Sequence, residues 1–161
     1  MTADTHNQIT TQKKRVPAVE GLFTMDPVAP QLIGGKGVSR GSYFFPKDLA
    51  GRDPGCVADG QTEEVLLSRR GVVWSYTTAS YPPPPPYVIT REPWEPLVLA
   101  AVQLPEKIVI LGPMTEDVAL EDMHIGMEVE LTLDKLYEDD EHEYMSWKWK
   151  PANQASQLGD E

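Results

Sequence analysis

Cys56 is the single thiol of the chain. A thiolate nucleophile needs a base and an electropositive setting to lower its pKa. No histidine or basic cluster has a claim on Cys56, so it reads as a structural residue. One cysteine also excludes an intrachain disulfide. His6, His124 and His142 lie in a polar tail, before a strand and inside an acidic turn, and none has a partner at metal-ligand spacing. Carboxylates crowd the stretch 116–143, where Lys135 is the only Lys or Arg. Their order lacks the Asp-x-Asp-x-Asp-Gly of a calcium loop. A solvated face is the plain reading, and a basic partner surface is the functional one.

Two aromatic sets remain. Trp74, Tyr76, Trp147 and Trp149 could stack on bases. A formal net charge of −11 weighs against that, because phosphate binding rests on Lys and Arg. Core packing or a protein interface is the expected use. The second set is Tyr81, the run Pro82, Pro83, Pro84, Pro85 and Pro86, and Tyr87. Five prolines donate no ladder hydrogen bonds and must form an exposed polyproline II loop. It could serve as an SH3-type ligand or as a stiff interface loop, and the second suits its setting better.

The elements that position these residues are mostly strands. With 161 residues, 40% hydrophobic and 24% charged, the composition is that of a globular chain. The 15 prolines and 12 glycines assign much of it to turns. No apolar run reaches the ~18 residues of a membrane span, and Met1 to Val16 lacks the apolar stretch of a secretory signal; a soluble, cytoplasmic chain is expected. Residues 1–16 read as a disordered tail ending in Lys13, Lys14 and Arg15, a solvated run or a docking patch. Val19 to Ile33, broken by Pro27 and Pro30, fits a short helical turn or a strap.

Residues 34–60 are turn-rich around the apolar island Tyr43-Phe44-Phe45 and carry too few apolar side chains to fold alone. Strand character begins near Thr62, in Glu64–Leu67 and Gly71–Thr78. Leu97–Gln103 and Lys107–Leu111 are almost wholly apolar, as in strands buried on both faces. In Met127–Lys135 and Tyr144–Lys150 apolar and polar residues alternate, giving each strand one core face and one wet face. Met145, Trp147 and Trp149 share the core parity, and Lys148 the wet one. The pattern predicts a mainly β chain: a small OB-fold β-barrel behind a turn-rich arm.

Five stretches carry a family resemblance: Gly41-Ser42-Tyr43-Phe44-Phe45-Pro46, Pro54-Gly55-Cys56, Leu67 to Thr77, Gly126 to Leu131 and Tyr144 to Pro151. In this order the chain resembles the rubredoxin-like zinc ribbon plus OB-fold proteins that accompany acyl-CoA thiolases. The resemblance implies a degenerate zinc ribbon with an N-terminal strap over 17–62, an OB-fold barrel over 63–151 and a disordered tail over 152–161. Metal-bearing relatives place a Cys-x-x-Cys knuckle before Tyr-Phe-Phe-Pro and a second cysteine pair after it. Here the first knuckle falls on Gly37 and Arg40, and the second on Gly51 (or Asp53) and Cys56. Tetrahedral zinc needs four ligands, so the metal is expected to be lost, with Cys56 a relic ligand.

The implied role is a non-catalytic accessory subunit of a thiolase, a thiolase-like aldolase or a hydroxymethylglutaryl-CoA synthase, in steroid, lipid or aromatic acyl-CoA degradation. It would stabilise that partner in a hetro-oligomer and shape or channel acyl-CoA access, with acyl-CoA bound at the partner interface and no cofactor of its own. Tyr43, Phe44 and Phe45, with Tyr81, Pro82–Pro86 and Tyr87, are the expected partner contact. A single-stranded nucleic-acid-binding OB protein is the rival reading, and a stand-alone enzyme ranks third.

Overall fold

A computed structural model of the chain describes residues 13–52, 62–85, 89 and 92–152. Among these residues nine strands run in order: β1 (Lys14–Pro17), β2 (Ile33–Gly37), β3 (Tyr43–Phe44), β4 (Thr62–Leu66), β5 (Arg70–Ala79), β6 (Leu97–Gln103), β7 (Val109–Pro113), β8 (Glu128–Glu138) and β9 (His142–Pro151). Short 3₁₀ turns occupy Lys47–Arg52 and Leu120–Asp122. Among the described residues no helix is long and apolar enough to cross a membrane.

The mainly β OB-fold expectation is borne out. A six-stranded sheet has the order β1-β9-β8-β5-β6-β7, and a three-stranded sheet the order β3-β2-β4. Alternation of apolar and polar residues builds the last hairpin, where Leu131 faces Trp149 and Leu133 faces Trp147. The large sheet curls until its ends meet on one strand. The outer edge of β9 takes β1 in parallel register from His142 to Met145. Beyond that it takes the end of β7 through a parallel bridge between Met114 and Trp149, where the Thr115 N–H donates to the Trp149 carbonyl at 2.8 Å. The curl therefore closes at a single bridge rather than along a full ladder.

The core lies inside this curl. Val73, Ala100, Val102, Ile110, Met114, Val129, Leu131 and Trp149 are buried there, and Phe23, Leu32 and Leu67 extend the same cluster to the small sheet. The strap is held by a bridge between Phe23 and Leu32 and by Arg69. That guanidinium donates to the carbonyls of Pro30 (3.1 Å) and Val28 (3.2 Å) and to Glu130 (2.8 Å). One side chain thus ties strap, strand junction and barrel together.

Four expectations need correction. Lys14 to Val16, placed in a disordered tail, belong to β1, because the free edge of β9 offers main-chain partners and Lys13 and Arg15 pair with Glu138 and Glu143 at 2.9 and 3.0 Å. The basic trio thus spends two of its cations within the chain. β4 was expected at the start of the barrel, yet residues 62–66 pair with β2 in the small sheet. Lys148 shares the wet parity but is only 6% exposed, since Asp134 at 2.7 Å and Glu116 at 3.5 Å cover its ammonium. Finally, β6 and β7 were expected to be buried on both faces, but Val109 and Leu111 are 45% and 60% exposed. Residues 1–12 and 153–161, which hold the remainder of the expected tails, lie outside the described residues.

Candidate partner-binding surface

The aromatic island is held by contacts inside the molecule. In β3 the Phe44 ring fills the space beside Gly35, where an added Cβ would come within 2.0 Å of it. Tyr43 takes the Lys36 ammonium over its face at 5.3 Å. Phe45 packs edge-on against Trp147 at 6.2 Å between centroids, and Trp147 in turn meets Trp149 at 5.8 Å. Gly112 admits the Trp147 ring, since a Cβ there would stand 2.1 Å from it. Phe45–Trp147–Trp149 is therefore the aromatic joint between small sheet and barrel. Tyr43, Phe44 and Phe45 are each half-buried.

The proline loop is set differently. Tyr81 follows β5 and is 85% exposed. Pro82, Pro84 and Pro85 are exposed and Pro83 half-buried. The Trp94 indole N–H donates to the Ala79 carbonyl at 3.2 Å, which pins the returning limb to the end of β5. Pro86 and Tyr87 lie outside the described residues, as do Asp53 and Cys56. β5 pairs with β6 and β8, whereas β3 pairs with β2, so the two halves of the expected contact stand on separate sheets.

Among the described residues the small-sheet hairpin offers no zinc ligand set. Gly37 and Arg40 flank a turn closed by Gly37 N–H to the Ser42 carbonyl (2.9 Å) and Gly41 N–H to the Gly37 carbonyl (2.8 Å). Neither residue carries a ligand atom suited to zinc, and Gly51 has no side chain. Among the described residues no group of three or more His, Cys, Asp or Glu is disposed to hold a metal.

Charge is concentrated on the β8–β9 hairpin. Asp139 accepts the N–H groups of His142 (2.7 Å) and Glu141 (2.8 Å) and the Tyr144 hydroxyl (2.9 Å). These bonds, led by the His142 N–H, hold its carboxyl below the usual aspartate range and push the Tyr144 hydroxyl up. Hydrogen bonds from Lys135 and Lys13 likewise lower Glu138. The acidic turn is thus built by its own hydrogen bonds as well as solvated.

Among the described residues, two of the barrel's clefts are shallow. One, of about 380 Å³, is lined by Gly71, Val72, Gln103, Leu104, Pro105 and Lys107. The other, of about 460 Å³, is lined by His124, Gly126, Met127, Glu128, Pro151 and Ala152. Neither lining joins a hydroxyl or thiol nucleophile to a base.

Trp74 stands out on the barrel exterior at 60% exposure, whereas Tyr76, 36% exposed, shares its row with the buried Ala100. Val73 points into the core, so Trp74 turns outward. The register of β5 against β6 shifts between Val73 and Ser75, which leaves Trp74 as the extra residue of a β-bulge and puts Ser75 on the outer face beside it. Strand alternation alone does not reveal this. The only sequence signal is an odd aromatic beside Val73 in an otherwise regular run.

Comparison with known proteins adds the family. Residues 64–134 match the family model described as "ChsH2, C-terminal OB-fold domain". A chain of the solved structure described as "Ltp2-ChsH2(DUF35) aldolase" superposes with a TM-score of 0.51 at 25% identity, over 75% of this chain and 84% of that one. A DUF35 domain-containing scaffold protein of Methanocaldococcus jannaschii is 29% identical over 120 residues, 74% of this chain and 79% of the relative. One of Pyrococcus furiosus is 36% identical over 122 residues, 74% of this chain and 81% of the relative. With an OB-fold, a small companion sheet and this degree of identity over most of both lengths, the chain belongs to the family of DUF35 domain-containing scaffold proteins.

Proposed function

We propose that the chain is a non-catalytic accessory subunit that binds a thiolase-type acyl-CoA enzyme, either a thiolase or a thiolase-like aldolase. It stabilises that enzyme in a hetero-oligomer and shapes acyl-CoA access. The observation that carries the reading is the combination of scaffold-protein relatives with a structural neighbour described as an Ltp2-ChsH2(DUF35) aldolase. The small sheet is a degenerate zinc ribbon on this reading, with Gly37, Arg40 and Gly51 (or Asp53) where ligands would stand. The setting is cytoplasmic, and acyl-CoA sits at the interface with the partner. The loop Tyr81–Tyr87 reaches that partner, supported by the 85% exposure of Tyr81 and the low ordering cost of consecutive prolines. Tyr43, Phe44 and Phe45 contribute the ring surface left free by their packing.

The exposed Trp74 and Tyr76 favour one alternative, a single-stranded nucleic-acid-binding OB protein. Tagged chain recovered from its own cells, with bound proteins identified by mass spectrometry, separates the two when run beside a gel-shift assay on single-stranded oligonucleotides. The scaffold reading expects a thiolase-fold subunit in stoichiometric amount and no salt-sensitive shift. A salt-sensitive shift without a thiolase-fold companion would replace it with the nucleic-acid reading.

A further inference from the structure

β6 and β7 carry apolar residues on both sides, yet only one side meets the core. Ala100, Val102, Ile110 and Met114 point inward and are buried. The register sets the outward residues in rows across three strands. Val72 stands beside Gln103 and Val109; Ser75, next to Trp74 in the bulge, stands beside Ala101 and Leu111; and Thr77 stands beside Leu99 and Pro113. Within these rows Val72, Trp74, Val109 and Leu111 are 38%, 60%, 45% and 60% exposed. The adjoining loop is pinned along β5 by Gly126 N–H to the Val73 carbonyl (2.8 Å) and Val73 N–H to the Met127 carbonyl (2.9 Å). Ile125 in this loop is 72% exposed. None of these outward row positions is ionisable, in a chain of net charge −11.

We propose that the outer face of β5–β6–β7, centred on Trp74 and Leu111, is the surface on which the catalytic thiolase-type subunit seats. This rests on the scaffold reading above and extends it to a surface outside the proline loop and the small-sheet aromatics. Three strands by three rows cover roughly 300 Å², from the ordinary strand spacing and rise. A stable interface takes about 800 Å² from each partner, so two such faces set against each other fall well short of a dimer. Two copies would also bring together chains that each carry −11, which repel. The occupant is therefore a different chain, one whose contact extends beyond the face. β5 leads from Trp74 through Ala79 to the exposed Tyr81, so a partner on this face can continue onto the proline loop. The charge-free centre with a large aromatic anchor is the anatomy of an interface core.

The test places a photo-crosslinking amino acid at Trp74, Leu111, Tyr81 or Val28 in the full chain, one site at a time, in its own cells. The strap residue Val28 is 82% exposed and serves as the control. The proposal expects Trp74 and Leu111 to crosslink to a thiolase-fold subunit, with Val28 silent. Crosslinking to that subunit from Tyr81 but from neither Trp74 nor Leu111 would overturn this surface and leave the scaffold reading intact. Crosslinks from Trp74 to a second copy of the chain would also overturn it. No thiolase-fold product from any site would overturn both. In a second arm, the Trp74→Ser/Leu111→Ser variant is titrated with the thiolase-fold subunit purified from those cells. Its exposed positions leave the melting temperature nearly unchanged, and affinity drops at least about 30-fold, the scale of losing an aromatic hot spot. Unchanged affinity in a folded variant would contradict the proposal.

Discussion

Trp149 shows how far one residue can be read from parity. Its alternation with Lys148 and Lys150 puts it on the core face, and it is fully buried. Trp149→Ala is expected to cost about 3–5 kcal/mol, measured by denaturant unfolding. Trp147 has the same parity but lies half-exposed against Phe45, so Trp147→Ala should cost less, about 2–3 kcal/mol. A larger loss at Trp147 than at Trp149 would show that the joint between the sheets dominates stability. Lys148 marks where parity stops being informative. Its neighbours on the strand predict a wet side chain, whereas its burial depends on Asp134 and on Glu116, 32 positions away. Long-range charge pairing leaves no periodic trace. Lys148→Ala should cost about 1–2 kcal/mol, limited because both carboxylates are partly solvated.

At the scale of elements, the β8–β9 hairpin couples folding to pH. The Asp139 carboxyl is held down by the N–H groups of His142 and Glu141 and by the Tyr144 hydroxyl. A folded-state pKa below the unfolded one contributes stability that is present above the ordinary aspartate pKa of about 3.9 and is lost as pH falls through the folded value. NMR titration should therefore give an Asp139 midpoint below that value. A midpoint at or above it would show that the turn is open in solution. The small sheet makes a different prediction. On the proposed zinc-ribbon reading Gly37, Arg40 and Gly51 (or Asp53) stand at three ligand positions, so purified protein should carry no stoichiometric zinc, and Cys56→Ser should leave the melting temperature nearly unchanged. Elemental analysis showing a full zinc equivalent would contradict this. The strands β5 to β9 were legible because their apolar runs and alternation are local. β1 was not, because its four residues are ordered by the edge of β9 rather than by a period of their own. The allegiance of β4 was also hidden, since its pairing with β2 spans a turn-rich segment with no strand signal.

For the whole molecule, the mainly β, OB-fold architecture could be read from the strand pattern and the family stretches. The candidate surface could be read only in part. The proline loop announces itself by composition, while the bare face around Trp74 and Leu111 emerges only when the bulge and the register are known. Apolar runs in β6 and β7 look doubly buried in sequence, and the fold leaves one side without a cover. That mismatch is the physical reason to expect a partner. If the proposed scaffold role holds, the isolated chain should not turn over acyl-CoA. The most direct measurement is the light-scattering mass of the purified chain mixed with the thiolase-type subunit recovered with it. The account predicts a stable hetero-oligomer heavier than either component, with any acyl-CoA turnover belonging to the partner. Two separate masses at micromolar concentration, or turnover by the chain alone, would contradict it.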